Sequence, residues 1–468
     1  MFDNDDEDFF DEHLREDISN FENYLKGGSM GFMESDRWEF LIDHYLMNSQ
    51  YKKANLAADY ALSQFPYIAT YTIRKAQAMS ALGQLKEALN LISSVEKNVE
   101  DSAELLLTKA SIFSQLRDHK QAIKYFKEAI QATQEEEDRD EIFLDLAMEY
   151  QALRDFKGAI AVLQEAIRVN PENEGAIYEI AYCYDQLGDF ENAIKCYLDF
   201  IDENPYSFTA WYNLGNAYTK LDDFDKAIEA YDYSIVINDE FGPVYFNLGN
   251  AYMENDRFSD AIEAFQKCIE LEGNDPMAFC YIGEAYEQLG NLELAESYYK
   301  KSLDIAPLLP DAWLGLGIVE DLKGDTAAGI TLIEKASELD PNNAGIYHVL
   351  AGAYEKIEDY EKTFDLYDTS LNLDSTDEEC LKGFIEFLNK TETRQAVLEF
   401  LETFTTDYGL NDSLDLLMVN QLWLVGRHEE AVALFALCVE KDREKAKELF
   451  DINNQLSSVS EFLHLIEK

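Results

Sequence analysis

The chain has 468 residues, 47% of them hydrophobic and 13% aromatic, enough to bury the core of several domains or of one long repeat array. Ninety-three acidic residues against 38 basic ones leave a formal net charge of −55. Such a surface repels phosphate backbones and anionic lipid, which argues against nucleic acid or membrane surfaces as direct partners and favours basic or neutral proteins.

Residues 1–34 begin MFDNDDEDFFDEHL, acidic where a signal peptide is basic and then apolar. Phe9 and Phe10 sit among these acids. Leu14, Ile18, Phe21 and Leu25 then recur at helical spacing, and Gly27-Gly28 is a stop signal. The expectation is a frayed acidic tip followed by an N-terminal capping helix, with an acidic-aromatic docking motif as the alternative. No apolar run approaches the length of a membrane span, and the expected compartment is the cytoplasm.

From residue 35 the chain repeats. The segment Trp211-Tyr-Asn-Leu-Gly-Asn-Ala-Tyr218 has the pattern W-x2-L-G-x2-Y, and Ala227 and Tyr231 follow at the spacing A-x3-F. With Phe208 as position 1, units begin at Ser35, Ala69, Ala103, Asp140, Glu174, Phe208, Gly242, Pro276, Pro310, Ala344, Glu378 and Asp412. Every step is 34 residues except that from Ala103 to Asp140, which is 37 and takes its extra residues in the charged stretch around Glu135. Position 8, where the two helices of a unit must cross, is Ala or Gly from Ala76 to Ala351. Position 20 on the second helix is Ala from Ala54 to Ala295. Position 11 is usually aromatic, as at Tyr45, Tyr184 and Tyr354. All eight prolines fall at unit boundaries, and Gly83, Gly188, Gly290, Gly324 and Gly426 share position 15, where a helix ends in a left-handed residue.

This pattern resembles the tetratricopeptide repeat, a helix–turn–helix unit of 34 residues. The resemblance implies an all-α fold, a right-handed superhelical α-solenoid of about twelve repeats over residues 35–445. Units one, eleven and twelve carry bulky Ile42, Ile385 and Val419 at position 8, as terminal repeats do when one face meets water. Residues 446–468 are expected to be capping helices, with Leu449, Ile452, Leu456, Phe462, Leu463 and Ile466 covering the last apolar stripe.

In the resembled family the first helix of each unit lines a concave groove that holds a peptide or protein segment. Carried over position by position, that lining is Tyr178, Tyr182, Tyr212, Asn213, Asn216, Phe246, Asn247, Asn250, Glu284, Glu287, Asp321 and Glu355. Aromatics supply contact area, amides can bond a peptide backbone, and carboxylates select Lys or Arg, so a basic or apolar-anchored segment fits. A clamp for the acidic C-terminal tails of chaperones needs cations where Tyr212, Met277 and Tyr281 stand, so such tails are not expected as partners. The asparagine ladder of the O-GlcNAc transferase superhelix is met only at Asn213 and Asn247. The chain therefore reads as an interaction scaffold or adaptor, with a rigid subunit of a stable complex as the second reading.

An enzyme is not expected. The six histidines are scattered, no two at a helical zinc spacing, and phosphate-loop, nucleophile-elbow and dinucleotide motifs are missing. The six cysteines, Cys183, Cys196, Cys268, Cys280, Cys380 and Cys438, form no CxxC pair and read as reduced packing residues, so neither cofactor nor metal is expected. His348, at position 5, is the only histidine placed to meet a ligand.

Overall fold

The structure is a computed structural model that describes residues 4–95, 102–133, 139–408 and 412–467, with backbone alone for 4–12, 412–413 and 467. The described residues form helices and connecting turns, with no strand among them. Cα packing divides the chain into two compact units, Met1–Glu240 and Phe241–Lys468.

Twelve helix hairpins follow one another. Their first helices begin at Ser35, Ala69, Ala103, Asp140, Glu174 and Phe208 in the first unit, and at Gly242, Pro276, Pro310, Ala344, Glu378 and Asp412 in the second. Each second helix begins 16 residues after its first, as Tyr51 follows Ser35 and His428 follows Asp412. We number the hairpins 1 to 12. Within each unit the second helix of one hairpin packs on the first helix of the next, which is the solenoid arrangement.

The crossing inside each hairpin sets this spacing. Ala54, Ala76, Ala88, Ala110, Ala122 and Ala147 are fully buried there. In hairpins 6, 7 and 8 the position-8 residue is glycine, and an aromatic ring from position 24 lies over it. A methyl group on Gly215 would stand 2.4 Å from the Tyr231 ring, and one on Gly249 2.6 Å from Phe265. Hairpin 9 is the extreme case. Both crossing residues are glycine, and a methyl group on Gly329 would lie 2.7 Å from the backbone oxygen of Gly317.

The turn between the two helices is equally regular. Position 15 is left-handed in hairpins 1 to 10 and in 12, whether or not it is glycine. Gly83, Gly188, Gly290, Gly324 and Gly426 share that region with Ser49, Arg117, Arg154, Asp222, Asp256 and Glu358, whose φ angles run from 54° to 61°. The packing of the two helices thus imposes a conformation that costs an L-residue about 1–2 kcal/mol. One residue on, an Asp or Asn often caps the second helix. Asp118, Asp155, Asp189, Asp223, Asn291, Asp325 and Asp359 each accept a hydrogen bond from the backbone N–H three residues ahead.

Successive hairpins are tied by repeated polar contacts. Trp211 Nε1 donates to the carbonyl of Pro205, Trp313 Nε1 to Pro307, and Tyr347 Oη to Pro341, at 3.0, 2.9 and 3.2 Å. Each joins position 4 of one unit to position 32 of the unit before it. Fully buried Ser234, Ser302 and Ser370 donate to the position-1 carbonyls of their own units.

The ends differ from the middle. The N-terminal helix runs from Asn4 to Leu25, so the expected frayed tip is helical backbone from residue 4 onward. The side chains of Phe9 and Phe10 lie outside the described residues. Phe21 is fully buried against Trp38 and Tyr45, and Asp17 receives both Arg37 guanidinium contacts. In hairpin 11 the first helix extends to Thr391 and Glu392 has φ −114°, so the left-handed turn is lost. Bulky Ile385 and Val397 are both buried at this crossing, where hairpins 2 to 9 hold Ala or Gly at both positions. At the C-terminal end Leu449, Leu456 and Phe462 are fully buried, and Phe462 packs on Trp423 and Phe435.

Two stability changes follow. Gly329→Ala installs the residue that nine other hairpins carry at position 20. Overpacking of about 1–3 kcal/mol outweighs a helix-propensity gain of about 1 kcal/mol, so the urea midpoint should fall. Glu358→Gly removes left-handed strain from an exposed turn and should raise stability by about 1 kcal/mol in the same measurement.

Candidate functional site: the inner faces of the first helices

The predicted site residues fall on both units, and each unit is described by itself. In the first unit, the first helices of hairpins 5 and 6, Glu174–Leu187 and Phe208–Thr219, flank a groove of about 310 Å³. Tyr178, Tyr182, Tyr212, Asn213 and Asn216 all line it. Tyr178 and Tyr182 are 65% and 47% exposed, one helical turn apart, and Tyr182 meets Phe156 edge-on at 6.1 Å. Tyr212 is half-buried, with its ring 6.1 Å from that of Tyr231. Asn216 accepts a 2.8 Å hydrogen bond from the Tyr231 hydroxyl, so its amide oxygen is already used within the hairpin.

Asn213 is different. It is only 7% exposed, and its Nδ2 has no hydrogen-bond partner among the described residues. Asp185 and Lys220 also line the groove.

In the second unit the lining changes character. Phe246 packs edge-on against Phe265 at 5.6 Å and Tyr281 at 5.8 Å, so its ring belongs to the hairpin packing as much as to the surface. Asn247 and Asn250 are half-buried on the same helix. Glu284 and Glu287 are half-buried on the next first helix, Pro276–Gln288. Burial, with Glu254 and Asp311 nearby, holds the Glu284 carboxyl above its ordinary range. Burial pushes Glu287 up to about 7, against the pull of the Tyr299 hydroxyl, which donates to it at 2.9 Å; the charge of Glu284 adds to the rise.

Asp321 and Glu355 are engaged within the chain. Lys356 bonds Asp321 and Lys390 bonds Glu355, each lysine coming from the hairpin that follows. Asp321 also accepts from the Thr326 hydroxyl at 2.7 Å. These two carboxylates are thus matched by cations of this chain, whereas neither Glu284 nor Glu287 is ion-paired among the described residues.

A wider cavity of about 870 Å³ lies at hairpins 8 and 9, between Leu303, Trp313 and Leu332. It contains none of the predicted residues, and the Trp313 indole N–H that borders it is held by Pro307. All six cysteines are free, and burial raises the thiols of Cys183, Cys196, Cys268, Cys280 and Cys380 above their ordinary range. Sequence spacing shows no metal-ligand motif, yet the fold brings His348, Asp377 and Cys380 together, their ligating atoms all within 4.8 Å of one another. No described helix is long and apolar enough to cross a membrane.

Comparison with known proteins places the repeat in a family. Family models described as tetratricopeptide repeat match residues 103–136, 144–207, 208–241, 243–275 and 278–307. Anaphase-promoting complex subunit 3 of Schizosaccharomyces pombe is 34% identical over 64 residues. That match covers 14% of this chain and 10% of the yeast protein. Among solved structures, the APC/C heterotetramer Cut9–Hcn1 aligns with 83% of this chain and 90% of its own, at TM-score 0.43 and 15% identity. A tetratricopeptide repeat protein from Parabacteroides merdae aligns with 53% of this chain and 97% of its own, at TM-score 0.45 and 17% identity. The matched segments lie on hairpins of one 34-residue frame, and over them the chain is built of tetratricopeptide repeats.

Proposed function

We propose that this protein is an interaction scaffold that holds a segment of a partner protein against the first helices of hairpins 5 and 6. One observation carries the reading: the unmet Nδ2 donor of Asn213 at the base of a groove. A buried donor without a partner costs about 1–3 kcal/mol, and a rotation of the Asn213 amide toward the groove on binding would let a backbone carbonyl meet it. Tyr178 and Tyr182 stand beside it as exposed rings that can cover an apolar side chain at small entropic cost. The net charge of −55 favours a partner bearing Lys or Arg. In the second unit Glu284 and Glu287 offer the same preference without a cation of this chain against them. Free cysteines, five of them buried, suit a reducing compartment, and we place the protein in the cytoplasm.

A second reading is a fixed subunit of a stable complex. It is favoured by the name of the yeast relative, of whose length this chain matches a tenth. Stoichiometry separates the two, since a fixed subunit leaves cells with one partner in constant ratio.

The test is quantitative co-purification of the full chain from its native cells, with wild type beside a Tyr178→Ala/Tyr182→Ala/Asn213→Leu variant. The variant should lose the partner, and retention at the wild-type level sinks this groove as the site. Asn213→Leu alone removes a donor that nothing in the free chain uses. It should leave the melting temperature unchanged or higher while weakening the captured partner about fivefold, or about 1 kcal/mol. Affinity should also fall with added salt if the partner is basic.

Glu287 gives a separate check on the acidic lining. Its folded carboxyl holds a proton more tightly than the unfolded one, whose ordinary value is 4.5. Its contribution is therefore most favourable near and below 4.5 and is lost as pH rises through about 7. Glu287→Gln should match wild type in urea unfolding at pH 5 and exceed it by about 1–3 kcal/mol at pH 8. Parallel pH profiles for the two proteins would show that Glu287 carries no such burden.

A further inference from the structure

We propose that His348, Asp377 and Cys380 form a binding site for a thiophilic divalent cation, zinc foremost. The three come from two neighbouring hairpins of the second unit. His348 is on the first helix of hairpin 10, Ala344–Lys356. Asp377 caps the first helix of hairpin 11, Glu378–Thr391, and Cys380 lies in that helix's first turn.

Two of the three ligands are already held in place. Asp377 Oδ1 accepts the Cys380 backbone N–H at 2.9 Å, which fixes the carboxylate and turns Oδ2 toward the histidine. His348 Nδ1 lies 3.8 Å from that Oδ2, too far for a direct hydrogen bond. The Cys380 thiol donates to Ser370 Oγ at 3.2 Å, and Ser370 is anchored in turn on the Ala344 carbonyl at 2.9 Å. The His348 ring lies beside Tyr367, with centroids 6.0 Å apart.

The donor set decides the ion. One imidazole, one carboxylate and one thiol are ligands that zinc accepts together, whereas calcium and magnesium require oxygen. Metal–ligand bonds of about 2.0–2.3 Å put tetrahedral ligands roughly 3.3–3.7 Å apart. The present separations are all within 4.8 Å, and rotation of the partly exposed His348 side chain can shorten them. His348 and Asp377 face solvent in part and Cys380 is fully buried, so the cation would enter past the first two and meet sulfur last. As Sγ takes the metal, the thiol proton passes to solvent. Three protein ligands leave the fourth position to water.

Cobalt(II) titration of the chelator-washed full chain tests the site, because a thiolate–cobalt charge-transfer band requires a cysteine ligand. The expected result is one equivalent of Co2+ with that band, displaced by Zn2+, and a melting temperature that rises with Zn2+. Cys380→Ser should abolish the band. His348→Gln and Asp377→Asn should each weaken Co2+ affinity at least about tenfold. Asp377→Asn keeps a capping oxygen and Cys380→Ser keeps a hydroxyl toward Ser370, so circular dichroism should show both folded. Absence of the band with wild type under excess Co2+, or a band that survives Cys380→Ser, overturns the site. So does wild-type affinity in His348→Gln or Asp377→Asn.

Discussion

The structure depends on how closely two helices can cross. Wherever positions 8 and 20 are small, the helices of a hairpin approach until backbone or ring meets backbone, as Gly317 and Gly329 do. That approach fixes the height of each hairpin and hence the spacing at which the next one stacks. It also fixes the turn. Once two helices of set length are pressed together, the residue between them has to reverse the chain, and in every hairpin but the eleventh it does so in the left-handed region. Arg154 and Glu358 adopt it despite their side chains, which shows that packing dictates the turn and that glycine is an accommodation to it.

The same geometry explains part of the charge. Aspartates recur one residue after the left-handed turn because each second helix begins with unpaired N–H groups that a carboxylate can satisfy. Others face lysines of the next hairpin, as Asp321 faces Lys356 and Glu355 faces Lys390. Exposed pairs of this kind are worth little each. They nevertheless decide which carboxylates remain open to a partner. Acidity in this chain is therefore of three kinds: capping, internally matched and unmatched, and only the third bears on recognition.

The fold was legible because its rules are local. Small residues at two positions, prolines at unit boundaries and glycine at position 15 are each visible in a single 34-residue window, and units two to nine all carry Ala or Gly at both crossing positions. What the sequence left unsaid depends on neighbours outside the window. Position 24 was named only at Tyr231, and its bearing on position 8 was not visible: the rings of Tyr231, Phe265 and Tyr299 lie against Gly215, Gly249 and Gly283. The N-terminal helix starts at Asn4, because acidic residues that look like a frayed tip also suit a helix start. Among the site residues, periodicity placed Tyr178, Tyr182, Tyr212, Asn213 and Asn216 along one groove. It could not tell that Asn216 is engaged by Tyr231 while Asn213 has an idle donor, nor that Phe246 is tied into packing.

Cys380 shows the limit most clearly. It occupies position 3, which is Ala210, Ala278 and Ala312 in other hairpins, all fully buried. A thiol fits there as a small apolar group and costs the fold nothing, so in the sequence it is indistinguishable from packing. Asp377 reads as a helix cap, which it is, and His348 as a surface residue at position 5. Each has a sufficient local explanation. Only the stacking of hairpin 11 on hairpin 10 turns a cap, a packing residue and a surface imidazole into three donors of different softness around one point. A repeat fold can therefore acquire chemistry through residues that its own repeat pattern accounts for completely, and such chemistry is found between windows and not within them.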